Sequence, residues 1–80
     1  MARPRKEVDQ STYEGRFAAR LKALREKAGL TIKETAEEIG VTADAVYRWE
    51  SGLNFPRISF FPPLAKLYGL KRGRDILPAE

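Results

Sequence analysis

The chain has 80 residues, no cysteine, no histidine and a formal net charge of +4, which fits one domain with a small core. Without cysteine there is neither a disulfide framework nor a thiolate zinc site, and without histidine the commonest general base and metal ligand are missing, so no cofactor, metal or enzymatic activity is expected. No apolar run approaches the roughly 20 residues of a membrane span, and Met1 to Lys6 lack the apolar core of a secretory signal, so a cytoplasmic protein with no membrane partner is expected.

Residues 1–10 read as a flexible basic arm carrying Arg3, Arg5 and Lys6, with Pro4 and no apolar periodicity. Residues 11–78 read as one folded domain. Ser11 and Glu14 have capping-box spacing and predict a helix through Lys27. Phe17, Leu21, Leu24 and Ala28 form its apolar stripe, Gly15 weakens its first turn, and Gly29 ends it. The same helix carries Arg16, Arg20, Lys22, Arg25 and Lys27, a basic set matched by Lys71, Arg72 and Arg74 near the other end. Acidic residues collect instead at Glu34, Glu37 and Glu38; adjacent glutamates diverge on a helix, so the last two read as a solvated face.

A second helix begins at Ile32. Thr31 and Glu34 form a capping box, Ala36 and Ile39 share one face, and Gly40 stops it, because glycine enters the left-handed region without a Cβ penalty. Thr42 then caps a third helix over residues 43–51, with Asp44 in its first turn where a negative charge suits the helix dipole. Val46 and Trp49 point inward, and Gly52 closes the helix. Two short helices joined by a tight glycine-containing turn make a helix-turn-helix.

Downstream, residues 53–57 read as a loop punctuated by Pro56. Pro62 and Pro63 are tolerated only in a first helical turn, so a fourth helix is predicted from Phe61 to Tyr68, capped by Gly69, with Leu64, Leu67 and Tyr68 inward. A last short turn at Arg74 to Leu77 is stopped by Pro78. No strand signal appears, and the expected architecture is all-α: a compact bundle of four to five short helices around the helix-turn-helix.

Gly29, Leu30, Thr31, Glu34, Ala36, Ile39 to Thr42, Val46, Trp49, Glu50 and Gly52, with Leu21 and Arg25 before them and Pro56, Leu64 to Lys66, Gly69, Leu70 and Ile76 after, resemble the phage-repressor and Cro type of helix-turn-helix, with its lambda-repressor-like fold. The resemblance covers roughly residues 14–77. It implies that 11–78 is a DNA-binding domain and that the chain is a sequence-specific binder of double-stranded DNA, a transcriptional regulator reading the major groove with residues 43–51. Family members usually act as homodimers on palindromes. The alternative on the same fold is a protein-interaction module, such as an antitoxin or a bridging factor, with a protein partner.

On the third helix, Arg48 either forks to the O6 and N7 of guanine or pairs with Asp44 four residues earlier. Asp44 accepts from a cytosine amine, repels phosphate or serves the helix start. Ala43 suits a thymine methyl, and Tyr47 suits a phosphate or base edge, or covers the edge of the core. Thr31, Lys33, Thr42 and Arg57 are the phosphate-contact candidates. Where the family usually places a phosphate-clamping glutamine this chain has Ile32, and where it usually buries leucine it has Thr35, whose hydroxyl is expected to bond the carbonyl one turn back. The resemblance makes Arg25 and Glu50 a structural ion pair. Arg3, Arg5 and Lys6 resemble half of a minor-groove hook, or supply general phosphate attraction. The apolar residues expected at a dimer surface are Phe60, Tyr68, Leu70, Ile76 and Leu77.

Overall fold

The computed structural model describes residues 11–78. Helix α1 spans Tyr13–Lys27, α2 Ile32–Ile39, α3 Ala43–Ser51 and α4 Phe61–Leu67, with 3-10 turns at Ile58–Phe60 and Gly73–Ile76. Among the described residues there is no strand. The architecture is the all-α bundle the patterning predicts.

The start of α1 differs by one residue from the prediction. Thr12, not Ser11, is its N-cap: the Thr12 hydroxyl accepts from the Gly15 N–H at 3.0 Å. This register turns Gly15 inward, so the glycine belongs to the packed face of the helix. Phe17, Ala18, Leu21 and Arg25 are also buried, whereas Leu24 is only partly covered and Ala28 is exposed. The stripe therefore runs toward Arg25 instead of ending at Ala28. Ala28 is the last helical cap, and Gly29 follows it at φ +75°.

Phe17, Leu21, Ala36, Val46, Trp49, Leu64, Ala65 and Ile76 make one continuous core. Phe17 lies against the rings of Phe55 and Phe61 at centroid distances of 5.7 and 6.2 Å, and Trp49 against Phe60 at 5.7 Å. Every one of the four helices contributes to this cluster, so α3 is held by the interior on one side only. Pro62 and Pro63 sit in the first turn of α4, where missing N–H groups cost no helical bond. The second 3-10 turn docks on that helix start through Gly73: a Cβ there would come within 3.1 Å of the Pro62 nitrogen and 3.2 Å of the Phe61 Cβ. Arg20 fastens the same turn to α1, donating from Nε and NH2 to the Asp75 carbonyl at 3.3 and 2.7 Å.

Two expectations about individual side chains change. Thr35 is fully buried, but its hydroxyl makes no hydrogen bond, to the carbonyl one turn back or elsewhere. A buried hydroxyl without a partner costs about 1–3 kcal/mol. Thr35→Val keeps the shape and removes the orphaned group, so it should raise stability by about 1 kcal/mol in urea unfolding; a loss would mean that the hydroxyl has a partner. Of the apolar residues expected at a dimer surface, Ile76 is fully buried and cannot serve there. Phe60, Tyr68, Leu70 and Leu77 pack against the core and stay partly exposed. Leu64 and Ile76 anchor α4 and the last turn to the interior.

Candidate nucleic-acid interface

The two helices of the motif are set by local chemistry. Thr31 accepts from the Glu34 N–H at 3.0 Å while Glu34 accepts from the Thr31 N–H at 2.9 Å, closing the capping box at the start of α2. Gly40 ends that helix at φ +86°, where a non-glycine residue would be strained. Its N–H and that of Val41 converge on the Ala36 carbonyl at 2.8 and 3.0 Å, which makes the turn tight. Thr42 then caps α3 by accepting from the Ala45 N–H at 3.1 Å.

Helix α3 buries Val46, Trp49 and Glu50, and exposes Ala43, Asp44, Tyr47 and Arg48. The exposed four recur at i, i+1, i+4 and i+5, one face of a helix. All four proposed base-contact residues therefore share the face turned away from the core. Arg48 and Asp44 also meet each other: the Arg48 Nε donates to Asp44 Oδ2 at 2.7 Å. This hydrogen bond, with the carboxylate's charge, raises the Arg48 pKa above its ordinary value. At the far end of α3, Leu53 and Asn54 donate to the Arg48 carbonyl at 3.0 and 3.3 Å, so the helix stops cleanly after Ser51.

The phosphate-contact candidates lie on exposed positions near helix starts and after α3. Lys33 is exposed in the first turn of α2, and Arg57 is exposed immediately before the first 3-10 turn. The Thr31 and Thr42 oxygens accept from backbone N–H groups, which leaves each hydroxyl proton available for donation. Ile32 is partly buried and packs against the core. It supplies no polar group where a glutamine would. Arg3, Arg5 and Lys6 lie outside the described residues.

Behind this face Arg25 crosses from α1 to the end of α3. Its Nε and NH2 donate to the two Glu50 carboxylate oxygens at 2.7 and 3.1 Å, and NH1 donates to the Leu30 carbonyl at 2.8 Å. The pair is buried, with Glu50 2% exposed. The bond to Glu50 raises the Arg25 pKa against the opposing effect of burial. One side chain thus ties α1, the α1–α2 turn and α3 together.

Tyr68 stands beside this network. Burial, its main influence, pushes the phenol above the ordinary value of 10.0; the Glu50 charge adds to the rise, while the Thr35 hydroxyl and the Arg25 charge oppose it. The Thr35 hydroxyl stands beside the phenol without reaching hydrogen-bond geometry. A folded pKa above the unfolded one gives stability that is whole below pH 10 and is lost as pH rises through the folded value. Tyr68→Phe should therefore flatten the fall in thermal midpoint above pH 10, measured against the parent; an unchanged alkaline slope would place the effect on other groups.

One exposed apolar surface has no helical period to mark it in the sequence. Leu53, Phe55 and Ile58 are 65%, 52% and 78% exposed, and Phe55 and Ile58 line an open apolar groove of about 290 Å³ with Tyr13, Phe17, Phe61 and Leu77. The available signal was apolar residues inside a loop bounded by Gly52 and the fourth helix, outside any helical period.

A family model described as a helix-turn-helix domain matches residues 16–75, three quarters of the chain. Among solved structures, the hypothetical transcription factor NHTF of Neisseria is similar, with a TM-score of 0.74 and 19% identity over 94% of this chain and 85% of that one. A transcriptional regulator of the HTH_3 family from Vibrio cholerae is similar with a TM-score of 0.64 and 27% identity over 74% of this chain. Only 33% of the Vibrio chain is covered. No curated protein sequence matches. Among the described residues no helix is long and apolar enough to cross a membrane, and no group of carboxylates is placed to hold a metal.

Proposed function

The chain belongs to the helix-turn-helix domain family, and from that premise we propose that it is a transcriptional regulator that reads a specific double-stranded DNA sequence with α3. Family membership and likeness to transcriptional regulators support a DNA-binding regulator in general. The observation that carries the finer reading is the division of α3: Val46, Trp49 and Glu50 fasten one side to the domain, and Ala43, Asp44, Tyr47 and Arg48 occupy the other. A helix so held can enter a major groove with its reading face outward. Lys33 and Arg57, with the Thr31 and Thr42 hydroxyls, supply phosphate contacts that fix its register.

The regulator acts as a homodimer on this reading, since one short helix contacts only a few base pairs and two copies must present α3 about 34 Å apart. Leu53, Phe55 and Ile58 offer the exposed apolar surface for the second copy. Selection from a random duplex library with the 80-residue chain tests the whole reading. A recovered palindrome with half-sites about one helical turn apart supports it, and recovery of no motif overturns it in favour of a protein-interaction module.

A further inference from the structure

The Asp44–Arg48 pair is ordinarily regarded as a surface ion pair of small energetic value. Its geometry points to a different use. The carboxylate holds only one of the three guanidinium nitrogens, Nε, at 2.7 Å. Among the described residues the other two nitrogens make no hydrogen bond, and both side chains are well exposed, at 48% for Arg48 and 69% for Asp44. A guanidinium is planar, so fixing Nε against a neighbour one turn away orients the remaining edge. That edge carries two parallel N–H donors, the pattern that fits the O6 and N7 acceptors of guanine.

We infer that Asp44 is a positioning residue for base recognition: it aims the NH1–NH2 edge of Arg48 at a guanine and makes that position of the site guanine-specific. The inference rests on the reading of α3 as the DNA-reading helix. Asp44 acts through its hydrogen bond to Nε, which removes rotamer freedom from a long side chain before binding. A lysine or an unbraced arginine at position 48 would bind DNA through charge with weaker preference among bases.

The test is duplex selection and competition binding with the parent, Arg48→Ala, Asp44→Ala and Asp44→Asn, each checked for helicity by circular dichroism. The guanine in question is the one that Arg48→Ala ceases to select. For the parent, replacing that guanine should weaken binding by roughly 5- to 150-fold, the range of a bidentate contact. Asp44→Ala should bind unrelated duplexes more tightly than the parent, because a negative charge has left the surface, yet lose most of the guanine preference. Asp44→Asn also lacks the charge, but its amide oxygen still accepts from Nε; it should restore the preference to within about twofold of the parent while keeping the gain on unrelated duplexes. A helix-start role alone would change stability without separating the two variants on base preference. Retention of the parent's guanine preference by Asp44→Ala overturns the inference and leaves the DNA-reading role of α3 standing, as does a failure of Asp44→Asn to restore it. If the parent selects no sequence at all, the reading of α3 falls and the inference falls with it.

Discussion

Glu50→Ala should destabilise the domain by about 3–5 kcal/mol, the cost of removing one partner from a buried ion pair. At about 4–8 °C for each kcal/mol in a domain of this size, the thermal midpoint should fall by roughly 12–40 °C. The size follows from what remains. Arg25 is held at 10% side-chain exposure between α1 and α3, and without Glu50 it keeps one hydrogen bond, from NH1 to the Leu30 carbonyl at 2.8 Å. A guanidinium is charged at all accessible pH values, so it cannot relieve the burial by losing a proton. Either the charge stays buried without a counter-ion or α1 separates from α3, and the second route also uncovers Val46 and Trp49. Replacing both partners, as in Arg25→Met with Glu50→Leu, should recover most of the loss, because a well-packed apolar pair dispenses with the desolvation of two ions. Urea unfolding of the parent, the single variant and the double variant decides the matter. A single variant within 1 kcal/mol of the parent would show that the pair is open to water in solution, and that the hold on α3 comes from Trp49 and Val46 alone.

The parts of the fold legible in the sequence are those fixed within a few residues. The Thr31–Glu34 box, the Thr42 cap, and the stops at Gly40 and Gly52 are exchanges between neighbours in the chain, and α2 and α3 begin and end where those residues put them. The Asp44–Arg48 pairing is legible for the same reason, since four residues bring two side chains together on any helix. Where two local signals compete, the interior decides. Ser11 and Thr12 both offer a cap hydroxyl, and Thr12 prevails in the register that turns Gly15 and Phe17 inward.

What lies beyond one helix was harder to read. Nothing in a spacing rule links Arg20 to a carbonyl at Asp75, and three residues are too few for the 3-10 turn at Ile58–Phe60 to show a period. The burial of Ile76 has the same source. An apolar residue beyond the end of α4 can face a partner or fold back on its own core. Only the packing of Leu64 and Ile76 shows which. Thr35 was foreseen as buried but not as unpartnered, because its surroundings come from α4 as well as α2.

Binding to a palindromic duplex should weaken at least about a hundredfold between 50 and 200 mM salt, and the double variant Lys33→Ala, Arg57→Ala should remove about a hundredfold of that dependence. The figure comes from counting cations that face solvent beside the motif. Each protomer offers Lys33 and Arg57; if both neutralise a phosphate, a dimer neutralises about four, and the slope of log K against log salt is near −3.6. Arg16 and Arg20 are left out of the count, because Arg16 donates to the Ser11 carbonyl and lies over the Tyr13 ring, and Arg20 donates to the Asp75 carbonyl. Arg48 is assigned to a base. The double variant should therefore flatten the slope by about 3.6 from whatever value the parent shows, weakening all duplexes alike while sparing the preferred sequence, since phosphate contacts carry position and not identity. Deleting residues 1–6 separates the arm from this set. If Arg3, Arg5 and Lys6 act by general attraction, the slope falls further with the sequence preference intact; if they enter the minor groove, the preferred sequence itself changes. A parent whose affinity for duplex DNA is insensitive to salt would count decisively against the groove-reading role, because no arrangement of these side chains can hold a polyanion without displacing its counter-ions.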